Sequence, residues 1–182
     1  MFVGRIDRNK NLQLIAQALR IIQTRRPGNE IVVDIIGKGA EYENVSRLAS
    51  ELGVGHQMNQ IGYIHNEQLR DYYEKGYAVI LPSFSETLGK VILEAYTVGT
   101  PAIASNVGGI PDLVQDGVNG YLIDPHDATQ LADRMLAMID SPEAYRQMQI
   151  SATGTAHKWT REVSLQHWLK TLSEVISKFS KR

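Results

Sequence analysis

The feature that most constrains this 182-residue chain is a set of short apolar runs, each ended by a turn residue and separated by segments of helical spacing. Phe2-Val3 stops at Gly4, residues 31–36 (IVVDII) stop at Gly37, and residues 77–81 (YAVIL) stop at Pro82. Residues 101–104 (PAIA) and 120–123 (GYLI) are further runs, and a short strand is expected over residues 59–61. A near-continuous apolar run is what a strand carries when both faces of its sheet are covered. Between the runs lie predicted helices over 9–26, 41–52, 66–75, 89–98 and 110–115. The first has Leu12, Ile15, Ala16, Leu19 and Ile22 on one face. Strands alternating with helices over short connections must run parallel. The expected fold is α/β: a doubly wound, mostly parallel, six-stranded Rossmann-like sheet with helices on both faces. After Asp127 only helical patterning remains, with a break expected over 155–160. The last piece carries Leu165, Trp168, Leu169, Leu172, Ile176 and Phe179 on one stripe, forming a helical C-terminal tail.

Composition narrows the function. Hydrophobic residues make up 43% and charged ones 21%, which fits one globular domain over residues 1–182 rather than a disordered chain. The net charge of −1 leaves no global basic field, so nucleic acid is not an expected partner and any anion must be held locally. There is no cysteine, which excludes disulfides, thiolate zinc sites and a thiol nucleophile, and suits a reducing cytoplasm. No stretch reaches the ~20 apolar residues of a membrane span. The opening directly on a strand leads us to expect a portion of a longer protein. His56, His65, His126, His157 and His167 lack paired ligand spacing, so no metal site is expected. Gly37-Lys38-Gly39 is not a dinucleotide fingerprint, because Tyr42 stands where the third glycine belongs and the motif follows the second strand. Ser83 and Ser85 lack a nucleophile-elbow motif.

In an open α/β sheet, ligands bind beyond the carboxyl ends of the strands. The segments to examine are therefore 4–10, 37–41, 62–66, 83–91 and 105–111. The richest is PSFSETLGKVILEAYTVG, residues 82–99. Gly89 is expected to open a helix whose first amides, with those of Lys90 and Val91, form an anion site. Glu86 precedes that helix and Glu94 lies eight residues later. Eight helical residues rise ~12 Å, about the span from a sugar across a diphosphate to a ribose. A solvated pair of glutamates satisfies the same spacing. Arg5 and Lys10 follow the first strand at the same sheet edge, where a guanidinium fork and an ammonium can neutralise a diphosphate. Two surface cations near a helix start are the alternative.

The ordered segments FVGRIDRNKN, GKGAE, IGYIHNEQLRDYYEKGYAVILPS, SETLGKVILEAYTVGTPAIAS and NVGGIPDLVQDGVNGYLIDP resemble the C-terminal, donor-binding domain of family-4 glycosyltransferases. These are retaining enzymes of GT-B fold that use nucleotide-activated sugars. The resemblance implies that Arg5 and Lys10 hold the donor diphosphate, with the amides of Leu88, Gly89, Lys90 and Val91 cradling it. Glu86 matches the catalytic glutamate facing the transferred sugar, Glu94 the ribose-binding one, and Ile64 the position whose backbone meets the base. It implies a UDP-, GDP- or ADP-sugar donor, no cofactor, and transfer to an acceptor hydroxyl with retention. The acceptor, a sugar or lipid-linked glycan, would be held by an N-terminal domain not among these residues, toward which a tail helix over about 160–180 would pack. The full-length protein would be cytoplasmic, with association at the inner membrane face. A non-catalytic nucleotide-sugar-binding module and a sugar-nucleotide epimerase on the same scaffold are the competing readings. The chain departs from the family where glycine often follows the lysine, here Asn11, and where Gly-Phe-Gly often follows the first glutamate, here Thr87-Leu88-Gly89.

Overall fold

The computed structural model describes residues 1–29, 31–160, 163 and 168–170. Its strands are β1 (Phe2–Val3), β2 (Val33–Ile36), β3 (Met58–Gly62), β4 (Val79–Leu81), β5 (Ala102–Ser105) and β6 (Gly120–Ile123). Its helices are α1 (Leu12–Arg25), α2 (Tyr42–Glu51), α3 (Asn66–Lys75), α4 (Lys90–Tyr96), α5 (Ile110–Leu113), α6 (Ala128–Asp140) and α7 (Pro142–Lys158). Every named strand pairing is parallel, in two three-stranded ladders ordered β1-β2-β3 and β4-β5-β6. Met1 joins the ladders. Its main-chain nitrogen donates to the Ala78 carbonyl at 2.8 Å, and the Ile80 amide donates to the Met1 carbonyl at 2.8 Å. β1 and β4 therefore lie side by side, and the strands read β3-β2-β1-β4-β5-β6 across the molecule. The order reverses between β1 and β4, which is the switch point where a doubly wound fold places its ligand.

The core follows from the apolar runs. Every residue of β1, β4 and β5 is buried, and α1 buries Leu12, Ile15, Leu19 and Ile22 in the stripe that its spacing predicts. α1 packs against α2 and α6, and α4 against α3 and α7. The sheet is thus covered by helices on both sides. Among the described residues, no helix is long and apolar enough to cross a membrane.

Three boundaries differ from expectation, each for a local reason. The helix expected over 9–26 is divided: Arg8–Lys10 forms a 3-10 turn and α1 starts only at Leu12. Between them Asn11 sits in the left-handed region at φ 52°. Asparagine tolerates that conformation better than other residues with a Cβ, and its side-chain amide donates to the Pro82 carbonyl at 3.2 Å and the Pro125 carbonyl at 2.8 Å. The run at 31–36 pairs only from Val33, with Val32 exposed. The run at 77–81 pairs only from Val79, because Tyr77 stacks on Tyr145 at a centroid distance of 3.9 Å and donates to the Met138 carbonyl. α7 ends at Lys158, inside the expected break. Most of the tail helix expected over 160–180 lies outside the described residues; Trp159, Val163, Trp168 and Leu169 are exposed.

Asn11 generates a stability prediction. Asn11→Ala loses two hydrogen bonds and strains a left-handed residue, at a cost of about 2–4 kcal/mol. Asn11→Gly loses the same bonds without the strain and should unfold about 1–2 kcal/mol less easily than the alanine variant. Urea unfolding of the two variants compares them; equal losses would show that backbone handedness does not dictate this residue.

Candidate functional site

The switch point sets two loops against each other, one after β1 and one after β4, and hydrogen bonds stitch them together. The Phe84 amide donates to the Asn9 carbonyl at 2.8 Å, and the Asn9 side chain donates to the Ser85 carbonyl at 2.8 Å. The Lys10 ammonium meets Glu86 Oε2 at 2.5 Å, with both side chains less than a fifth exposed. Asp7 holds the Lys10 end of the first loop, its carboxylate accepting from the Lys10 amide at 3.2 Å. Asn9, given no site role from sequence, clamps the loop that carries Glu86.

Each loop is backed by a glycine pair. A Cβ on Gly37 would overlap the Gly4 carbonyl oxygen, and one on Gly39 the Ile6 carbonyl oxygen. In the other half, a Cβ on Gly108 would overlap the Glu86 carbonyl oxygen, and one on Gly109 that of Thr87. The Ile6 amide donates to the Lys38 carbonyl, and the Gly109 amide to the Glu86 carbonyl. Gly37 with Gly39, and Gly108 with Gly109, thus set how closely these two loops are approached from behind.

Beside this seam lies a cleft of about 360 Å³, lined by Arg5, Ile64, Val91 and Glu94 together with Lys38 and Tyr63. Four residues expected at the site, from three segments of the chain, therefore converge. Glu94 Oε2 accepts from the Tyr73 hydroxyl at 2.9 Å. The Lys38 ammonium stands 5.6 Å from the Tyr63 ring centroid, within cation–π range. Neither side chain was singled out from sequence, although both follow strand ends in segments marked for inspection. Arg5 is 84% exposed at its side chain and lies 3.3 Å from Asp7. Lys10 and Glu86 do not line this cleft; they meet at the seam.

The segment expected to cradle phosphate, residues 88–91, runs from a short turn into a helix. Gly89 takes φ 78° and caps α4, whose first residue is Lys90. Among the described residues, none accepts a hydrogen bond from the amides of Leu88, Gly89, Lys90 or Val91. The ~12 Å helical rise between the two glutamates requires correction. Residues 86–89 are loop, and only Lys90 onward is helical, so Glu86 and Glu94 do not ride on one helix. They are held separately, one by a lysine and the other by a tyrosine.

The geometry and fold define a GT-B-type α/β domain with a switch-point cleft. Solved structures share this fold. Anabaena Alr3699/HepE in complex with UDP superposes with a TM-score of 0.82 at 24% identity, covering 95% of this chain and 48% of that one. Sucrose-phosphate synthase from Thermosynechococcus elongatus gives 0.81 at 26% identity, over 97% of this chain and 45% of that one. The C-terminal domain of a glycosyl transferase group 1 family protein (LpcC) from Francisella tularensis gives 0.77 at 22% identity, over 87% and 83%. Residues 1–154 match the family of glycosyl transferases group 1, and the chain belongs to it. A D-inositol 3-phosphate glycosyltransferase of Arthrobacter sp. (strain FB24) is 30% identical over 97% of the chain, which spans 43% of that relative's length.

The glycine backing is open to direct test. Gly108→Ala strains a residue at φ 54° and drives a methyl group into the Glu86 backbone, so about 2–4 kcal/mol of stability should be lost. Gly117→Ala is the control, with a similar positive φ and nothing within 4 Å of the added carbon; it should lose only about 1–2 kcal/mol. Equal melting losses in the two variants would show that close approach to Glu86 places no constraint on Gly108.

Proposed function

We propose that the chain binds a nucleoside diphosphate sugar and is the donor-binding part of a retaining hexosyl-type glycosyltransferase. The observation that carries this reading is the convergence of Arg5, Ile64, Val91 and Glu94 on one cleft beside the Lys10–Glu86 pair. In this reading the base lies at Ile64 and the ribose hydroxyls donate to Glu94. The diphosphate is met by Arg5, Lys10 and the amides of residues 88–91. Glu86 faces the sugar. Family membership and the UDP complex of the Anabaena protein support it.

During transfer an acceptor hydroxyl bonds to the anomeric carbon on the face from which the diphosphate departs, and its proton passes to the departing phosphate oxygen. The bond from that carbon to the β-phosphate oxygen breaks, and its electron pair leaves with the diphosphate. Arg5, Lys10 and the amides offset the charge that develops there, the largest kind of stabilisation a preorganised site offers. Glu86 favours the positive charge that grows on the sugar. The donor is a UDP-, GDP- or ADP-sugar and no cofactor takes part. The matched relatives are more than twice as long as the aligned stretch. We assign the acceptor, a sugar or lipid-linked glycan, to a region beyond these 182 residues. The intact enzyme would then work in the cytoplasm at the inner membrane face. The 182-residue chain alone should bind donor without transferring its sugar.

Calorimetry with UDP, GDP and ADP beside the free hexoses tests the site; no preference for any diphosphate over the hexoses would overturn the assignment. Glu94→Ala should weaken the preferred nucleotide about 10- to 150-fold, the value of hydrogen bonds to a charged group. Glu86→Gln should behave oppositely. It releases Lys10 from its carboxylate partner, so the bare diphosphate should bind no more weakly than to wild type, and severalfold more tightly where Lys10 reaches it. Sugar transfer by the full-length enzyme should fall in the same variant, mainly in kcat. Matching losses of nucleotide affinity in the two variants would end this division of roles.

A further inference from the structure

Glu94 does not meet the cleft as a free carboxylate. One oxygen, Oε2, already accepts from the Tyr73 hydroxyl at 2.9 Å. Tyr73 is 2% exposed, on the face of α3 that also carries Leu69, four residues earlier and itself part of the cleft wall. The tyrosine is held at its backbone as well. Its carbonyl accepts from the Thr100 hydroxyl at 2.6 Å, and Thr100 is itself buried in the turn between α4 and β5. The phenol is therefore fixed from the α3 side while Glu94 lines the cleft from α4.

We propose that Tyr73 is a positioning residue for nucleotide recognition: its hydroxyl orients the Glu94 carboxylate toward the ribose and makes the site selective for ribonucleotides. The inference rests on the donor-binding reading above and extends it to a residue that touches no ligand. A glutamate on a helix has three side-chain torsions and, once exposed, samples many orientations. A donor on one oxygen removes most of that freedom and leaves the other oxygen, with the remaining lone pair of the first, for two ribose hydroxyls. The donor must also stay protonated beside a carboxylate. Burial and the neighbouring Glu94 charge both push the Tyr73 phenol well above its ordinary range, so it remains a donor at every physiological pH. Phenylalanine would pack in the same place but leave the carboxylate free to turn. Positioning shells of this kind govern how well a first contact works, because a group held loosely must be ordered again at each binding event.

The test compares UDP, GDP and ADP with their 2′-deoxy and 3′-deoxy counterparts, titrated calorimetrically into the 182-residue chain. The readout is the ratio of deoxy to ribo Kd, which a general loss of stability does not move. Tyr73→Phe should lower that ratio roughly threefold or more by weakening the ribonucleotide alone. Glu94→Ala should bring the ratio close to one, and adding Tyr73→Phe to it should change nothing further. A tyrosine variant that weakens ribo and deoxy forms equally, or that keeps the wild-type ratio, overturns the positioning role. So does an additive effect of Tyr73→Phe in the Glu94→Ala background. If Glu94→Ala itself keeps the wild-type ratio, the ribose assignment of Glu94 falls instead, and the two failures are told apart.

Discussion

The seam between β1 and β4 is the constraint on which the rest of the molecule depends. The named strands form two separate ladders, and a sheet with a gap at its centre would have no single core. At one end the gap is closed by the paired hydrogen bonds of Met1 with Ala78 and Ile80. At the other it is closed by the loops: Asn9 with Phe84 and Ser85, Lys10 with Glu86, and Asn11 with Pro82. Phe2, fully buried, fills the space between. Three consecutive residues, 9 to 11, thus tie the first half of the chain to the second. Closing the seam forces the 3-10 turn and the left-handed Asn11, because a straight helix from residue 9 would carry these side chains away from the β4 loop. The cleft lies beside that closure, walled by Arg5, Lys38, Tyr63, Ile64, Val91 and Glu94.

Charge placement at the seam is costly unless something uses it. Lys10 and Glu86 are mostly withdrawn from water, and a desolvated pair regains only part of its hydration energy from mutual attraction. An apolar pair of similar volume would hold the loops at least as well. An ion pair in that position is better suited to exchange. In the proposed function, an incoming diphosphate offers Lys10 more negative charge than one carboxylate does, which would leave Glu86 facing the sugar. The proposed function gives this strained economy a use, because the same arrangement keeps the empty site neutral and lets the donor redistribute its charges. Among the described residues, Arg5, nearly all exposed, pairs only with Asp7, which in the proposed function would let it follow the phosphates.

Much of this was legible from residues alone, and the reasons are physical. Buried parallel strands must be apolar throughout, so β1, β4, β5 and β6 stood out as uninterrupted runs, and strand polarity then located the site segments. Boundaries were less legible because the ends of apolar runs are used for other contacts. Val32 remains in solvent, and Tyr77 leaves the ladder to stack on Tyr145. Asn11 was noted as a departure from glycine, but its handedness was not deduced; a residue tolerant of positive φ where glycine often stands was the available signal. The glycine pairs gave no sign from sequence of what lay close to them. What lay close was the backbone of residues 4–6 and 86–87, a long-range fact with no local signature. Tyr73 was invisible for the same reason, because nothing in the sequence of α3 sets it apart from the adjacent Tyr72.

The two glutamates illustrate how far a shared motif can mislead about environment. Their spacing invites a picture of two equal carboxylates along one helix, but the loop at residues 86–89 interrupts it. Glu86 is partnered by a cation, so its charge is already balanced and it can be drawn into a changing electrostatic situation. Glu94 is partnered by a neutral phenol, which orients the carboxylate without cancelling its charge. A group that must respond to charge developing on a sugar needs a partner that can leave. A group that must accept hydrogen bonds from neutral hydroxyls needs its full charge and a fixed direction. Lysine on a loop and tyrosine in a core supply those opposite requirements, and exchanging them would defeat both. The difference between the carboxylates therefore lies less in their own positions than in the mobility and charge of what holds them.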